Sequence, residues 1–133
     1  MKQLTRDWLN SAQDDLATIA HLIDDPVLTN VVAFHSQQAI EKTFKAIFEE
    51  MGIDLMKTHN LQSLFLKIES IVPFKINELT ISELDRLYID TRYPTDLGLM
   101  PYRKPGLDEA EIYYREALRI KEQTEIYVLN PGI

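Results

Sequence analysis

The chain has no cysteine among its 133 residues. That excludes disulfides, thiolate metal sites and cysteine nucleophiles, and it fits a reducing compartment, so a cytoplasmic location is the expectation. Glycine is scarce, with four residues, and proline has six. No glycine cluster precedes a helix, which excludes a Gly-rich phosphate loop. Positive charge is not in excess either: 14 lysines and arginines face 21 aspartates and glutamates, for a net charge of −7. Such a balance argues against broad, sequence-independent nucleic-acid binding, though it leaves room for a local basic patch. No apolar run is long enough to span a bilayer, and Met1-Lys2-Gln3-Leu4-Thr5-Arg6-Asp7 has no apolar signal region, so no membrane partner is expected. Nor does any stretch alternate apolar and polar residues for long enough to build a sheet.

What is present is a core. With 45% hydrophobic and 26% charged residues, the composition is that of a globular protein, and residues 1–133 suit one domain burying roughly two-thirds of its extended-chain surface. Residues 3–23 read as a helix, with Leu4, Trp8, Ala12, Leu16, Ile19 and Ile23 recurring every three or four positions, before Asp24-Asp25-Pro26 ends it. A second helix is predicted over Thr29–Met51, stopped by Gly52, with Ala33, Phe34, Ile40, Phe44, Ile47, Phe48 and Met51 inward. A short third helix follows Thr58-His59-Asn60, turns Leu61, Leu64, Phe65 and Ile68 inward, and is over by Pro73. Thr80 and Glu83 have capping-box spacing for a fourth, carrying Ile81, Leu84, Leu87, Tyr88 and Thr91. The last spans about Leu107–Val128, with Ala110, Tyr113, Tyr114, Ala117, Leu118 and Val128 on a broad apolar face. The fold class is all-α, an up-and-down bundle of four to five helices. Between the fourth and fifth helices, residues 93–106 hold Pro94, Gly98, Pro101, Pro105 and Gly106, a long loop that is either a linker or functional.

The second helix carries the chemistry. His35, Gln38, Lys42, Lys45 and Glu49 share one stripe, apart from the Phe/Ile face. The stripe offers an imidazole, an amide and two ammonium groups about one turn apart, all able to engage phosphate. On an isolated helix the same stripe is a solvated face. Gln37 lies inside the apolar arc and Glu41 at its edge. If buried, both must be hydrogen-bonded or paired, since an unsatisfied buried amide costs about 1–3 kcal/mol. Arg92, at the end of the fourth helix, is the cation expected to pair with Glu41. Other constellations are weaker. His21 with Asp24 or Asp25 lacks further histidines, so no metal or other cofactor is expected. Tyr93, Tyr102, Arg103 and Lys104 combine rings with cations, as base-stacking sites do.

In order and spacing, four segments resemble the HEPN family: Trp8-x-x-x-Ala12-x-x-Asp15-Leu16, Phe34-His35-Ser36-Gln37-Gln38-Ala39-Ile40-Glu41-Lys42-Thr43-Phe44-Lys45-Ala46, His59-Asn60-Leu61 and Tyr88-Ile89-Asp90-Thr91-Arg92-Tyr93-Pro94. The resemblance covers about residues 4–125. It implies a bundle of four or five helices, often a homodimer, implicated in nucleotide binding. Members occur beside or fused to small nucleotidyltransferases, including the helical half of kanamycin nucleotidyltransferase. Carried over, Gln38, Glu41, Lys42 and Lys45 match the motif of the second helix, and Arg92 and Tyr93 the later one. The nucleotide or phosphate site is therefore expected at His35, Gln38, Lys42, Lys45, Arg92 and Tyr93, with Glu41–Arg92 as a structural ion pair. One element of the family's ribonucleases is missing, an arginine followed four to six residues later by histidine. The arginines stand at 6, 86, 92, 103, 115 and 119 and the histidines at 21, 35 and 59.

Three functions compete. The first is a non-catalytic nucleotide-binding module acting with a small nucleotidyltransferase partner. The second is a divergent ribonuclease toxin using His35 or His59 with Arg92, against which the missing motif counts. The third is a purely structural, dimerising bundle. Self-association is expected in any case, because Ala39 and Ala46 lie together on the second helix and the last helix has a broad apolar face.

Overall fold

The computed structural model describes residues 1–92 and 104–130, leaving aside the side chains of residues 90–92. Among the described residues the chain forms five helices: α1 (Gln3–Leu22), α2 (Thr29–Met51), α3 (Leu61–Ile68), α4 (Glu78–Arg92) and α5 (Leu107–Leu129). There is no strand among them. None of the helices is long and apolar enough to cross a membrane.

Helix α2 is the axis of the bundle and touches the other four. Its composition explains this position. Ala33, Ile40, Phe44, Ile47 and Phe48 are buried on one side, while Ala39 and Ala46 let neighbouring backbones approach on another. Full burial of Phe44 and Phe48 stabilises the fold by about 1.5–3 kcal/mol each. From the other helices, Ile19, Leu61, Leu64, Ile68, Ile81, Leu84 and Ile120 close the core around them. Gly52 ends α2 in the left-handed region at φ 70°, a conformation a Cβ makes costly.

Polar side chains fix the shorter elements. The Asn60 side chain accepts the Ser63 N–H at 2.8 Å and caps α3. Asp85, buried on α4, accepts the N–H groups of Leu61 at 2.7 Å and Gln62 at 3.1 Å. A carboxylate from one helix thus faces the positive end of another, and α3 is tied to α4. On α5, buried Glu116 accepts the Asn77 N–H at 2.7 Å and binds Arg119, which also donates to the Lys75 carbonyl.

Several expectations are corrected. The cap of α4 is Asn77, whose side chain accepts the Thr80 N–H at 3.1 Å, and Thr80 itself is buried in the first turn. Leu4 and Leu118, assigned to apolar faces, are exposed, and so is Phe34. On α1 the inward position belongs to Leu9, while buried Thr5 donates to Glu50 at 2.9 Å. On α5 the inward arc is rotated towards Ile120 and Thr124. Ala39 and Ala46 are 1% and 0% exposed, packed inside this chain, so they offer no surface to a second copy. Of the anticipated 93–106 loop, only Lys104, Pro105 and Gly106 lie within the described residues.

Candidate functional site

Along the face of α2 where α1 and the α2–α3 connection converge, the polar side chains form two units, each built on a buried carboxylate. The first rests on Asp15 of α1. Its Oδ1 lies 2.8 Å from Nδ1 of His35, and its Oδ2 accepts from Nζ of Lys42 at 2.8 Å. Asp15 comes one helical turn after Ala12 and one before Ile19, on the inward side of α1, which is why its carboxylate meets α2 rather than water. The second rests on Glu41 of α2 itself. Its Oε2 accepts from Nζ of Lys45 at 2.8 Å, its Oε1 from Nε2 of Gln37 at 3.1 Å, and both oxygens lie 3.1 Å from Nδ1 of His59.

Gln37, an amide inside an apolar arc, has its hydrogen bonds made. Besides Glu41, its Nε2 donates to the His59 carbonyl at 2.9 Å, and its Oε1 accepts from Gln38 at 2.7 Å. It therefore clamps the segment before α3 onto α2 and holds His59 in front of Glu41. The His59 ring also packs against Tyr88 of α4, with centroids 5.3 Å apart. Lys45 reaches over the Trp8 ring at 5.5 Å, in cation–π range. Phe34, exposed at the start of the stripe, meets His35 edge-on at 5.4 Å.

Burial by itself raises the pKa of Glu41, but the hydrogen bonds from Lys45, Gln37 and His59 and the Lys45 charge outweigh it, so the carboxyl ionises more readily than an ordinary glutamate. Lys42 and Lys45 are held rather than free, each with one of its three N–H donors on a carboxylate among the described residues. This site can present two ammonium groups and two imidazoles to an anion from fixed positions.

The structure places His35 and Lys42 on Asp15, and brings Lys45 directly and Gln38 through Gln37 to Glu41. Arg92 and Tyr93 fall outside the described side chains, so the anticipated Glu41–Arg92 pair does too. Lys45 and His59 supply the partners that Glu41 needs among the described residues. The sequence reading left Asp15, His59 and Trp8 out of the nucleotide site, although all three stand in the family-like segments and His59 was offered to the ribonuclease alternative. Asp15 carried a signal, being an acid on the inward side of α1. His59 carried little, because the pairing joins residues 18 apart through the fold. Among the described residues no group of three or more histidines, aspartates and glutamates is arranged to hold a metal ion. A depression of about 510 Å³ between α3 and α4, lined by Phe65, Val72, Phe74 and Ile76 with Glu69 and Glu78, involves none of these residues.

The model of the HEPN domain family matches residues 5–127 of the chain. Among solved structures, the crystal structure of ST0689, an archaeal HEPN homologue, aligns with a TM-score of 0.70 at 23% identity, covering 96% of this chain and 99% of that one. At that identity the likeness concerns the fold. No curated protein matches.

Proposed function

We propose, from the premise that the chain belongs to the HEPN domain family, that it is a non-catalytic nucleotide-binding module whose α2 face receives the phosphates. The observation that carries this reading is the pair of carboxylate-anchored units. Lys42 and His35 on Asp15, and Lys45 and His59 on Glu41, present four nitrogen-bearing side chains on one face, fixed by buried acids before any ligand arrives. Preorganisation of this kind lowers the ordering cost of binding. The rings of Phe34, His59 and Tyr88 border the same face and suit stacking on a base. Arg92 and Tyr93, four and five residues after Tyr88 in the sequence, are included in the proposed site on the family resemblance.

The module is further proposed to act beside a small nucleotidyltransferase, as the family resemblance implies, and to form a homodimer. For the dimer, the support moves from α2 to the outer face of α5. Leu107, Leu118 and Leu129 stand 42%, 39% and 61% exposed there, spaced three helical turns apart on one line. Calorimetric titration with ATP tests the nucleotide reading. Wild type should bind, and Lys42→Gln should bind several-fold more weakly while retaining its far-ultraviolet dichroism. Equal affinity in both would remove the stripe from the site.

A further inference from the structure

The tautomers of the two histidines bear on which ligand the face accepts and when. An ionised carboxylate has no proton to give, so a ring nitrogen facing it must carry the hydrogen. Nδ1 of His35 faces Asp15 at 2.8 Å, and Nδ1 of His59 faces both oxygens of Glu41 at 3.1 Å. In the neutral form each ring is therefore the Nδ1–H tautomer, and each Nε2 is a bare lone pair. A phosphate oxygen is also an acceptor and gains nothing from that lone pair. Only the imidazolium form, with Nε2–H, can donate to it.

Charge leads to the same requirement. Among the described side chains of the two units, Lys42 and Lys45 are matched by Asp15 and Glu41, two positive charges against two negative, so a protonated ring is what adds positive charge to them. Among the described residues, His35 faces Asp15 from α1, which Lys42 from α2 also pairs. Among the described residues, His59 faces Glu41 from α2, which Lys45 also pairs, and the Tyr88 ring from α4. Asp85 on α4 is committed to the N–H groups of Leu61 and Gln62. A proton added to either ring leaves Nδ1–H on its carboxylate and creates a new donor at Nε2.

The geometry points to a proton-coupled anion site: a phosphate ester binds the α2 face together with protons taken up at Nε2 of His35 and His59, which adds positive charge to the two carboxylate-anchored units. The inference rests on the nucleotide reading. Its balance is simple, since each ring gains one solvent proton, no covalent bond is made or broken in the ligand, and the carboxylates stay ionised to accept from Nδ1. The consequence is a module that holds phosphorylated ligand more tightly as pH falls, releasing both as it rises.

Calorimetry with ATP in buffers of different ionisation enthalpy counts the protons directly. Between about pH 8 and pH 6, affinity should rise by up to about tenfold per pH unit for each linked proton. ATP's terminal phosphate titrates in the same range, so His35→Gln and His59→Gln supply the subtraction, each expected to remove up to one proton of uptake. If a variant fails to fold, long-range proton–nitrogen spectra of the wild-type imidazoles replace it. These should show Nδ1–H tautomers in the free protein and imidazolium in the ATP complex at the same pH. Binding with proton uptake unchanged in the variants, or with the wild-type rings still neutral in the complex, overturns the inference and leaves the nucleotide reading standing. No binding of ATP at any pH overturns both.

Discussion

Replacing Lys45 by alanine removes one partner of a buried ion pair, and the structure sets the scale of the loss. The Lys45 and Glu41 side chains are 14% and 6% exposed, with Nζ 2.8 Å from Oε2. Stranding a buried carboxylate costs about 3–5 kcal/mol when nothing else supports it. Glu41 keeps two supports, Gln37 and His59, each at 3.1 Å. A hydrogen bond to a charged group is worth about 1.5–3 kcal/mol, so these absorb part of the penalty. Loss of the Lys45 contact with Trp8 adds roughly 0.5–1 kcal/mol. The expected destabilisation is about 2–3 kcal/mol, read by urea melts with linear extrapolation. The pH dependence has a definite sign. The folded-state pKa of Glu41 is depressed, so its contribution is fully present above the unfolded value of about 4.3 and lost as pH falls through the folded one. Wild type and Lys45→Ala should therefore converge in stability as the medium is acidified below about pH 4. Adding Glu41→Gln should recover part of the loss, because the stranded charge is gone. A Lys45→Ala change below about 0.5 kcal/mol, the size of an ordinary exposed substitution, would refute this reasoning.

Other perturbations reach the remaining parts of the account. Asp85→Asn should cost about 0.5–2 kcal/mol in denaturant melts and speed amide exchange at Leu61 and Gln62, whose N–H groups it holds. Asn77→Ala should cost about 1 kcal/mol as loss of the α4 cap, measured in the same melts. Tyr113 is buried with its hydroxyl on Glu83, and burial first, then that carboxylate, raises its pKa beyond the ordinary phenol range. The stability this gives is present below pH 10 and lost as pH rises further, so an alkaline ultraviolet titration should show one tyrosine ionising only with unfolding. Leu118→Glu should shift sedimentation towards the 15.5 kDa monomer if the outer face of α5 forms the dimer.

Helix α2 was legible in the sequence because its signals are local: an apolar arc of period 3.6, a glycine after Met51 and no proline inside. The inward set of α3, Leu61, Leu64, Phe65 and Ile68, was legible for the same reason. What escaped depends on the rotation of one helix against another. Phe34 and Leu118 are apolar enough for the core but are left 36% and 39% exposed, and Leu9 takes an inward place that a Leu4-based pattern missed. The cap of α4 went to Asn77 rather than Thr80 because both types can cap, and only the backbone start point separates them. In the candidate site the stripe on α2 was legible, while its anchors were not. Asp15 reaches His35 from 20 residues away and Lys42 from 27, and such pairings follow from packing rather than from spacing along one helix.

The central claim, that the α2 face receives nucleotide phosphates, is tested most directly by following backbone amide and imidazole resonances of the wild-type protein during an ATP titration at about pH 6.5. The account predicts shifts concentrated at residues 35–45, at Asp15 and at His59, with little change along α3 between Leu64 and Ile68. An unchanged spectrum at millimolar ATP, or shifts confined to the depression between α3 and α4, would contradict it.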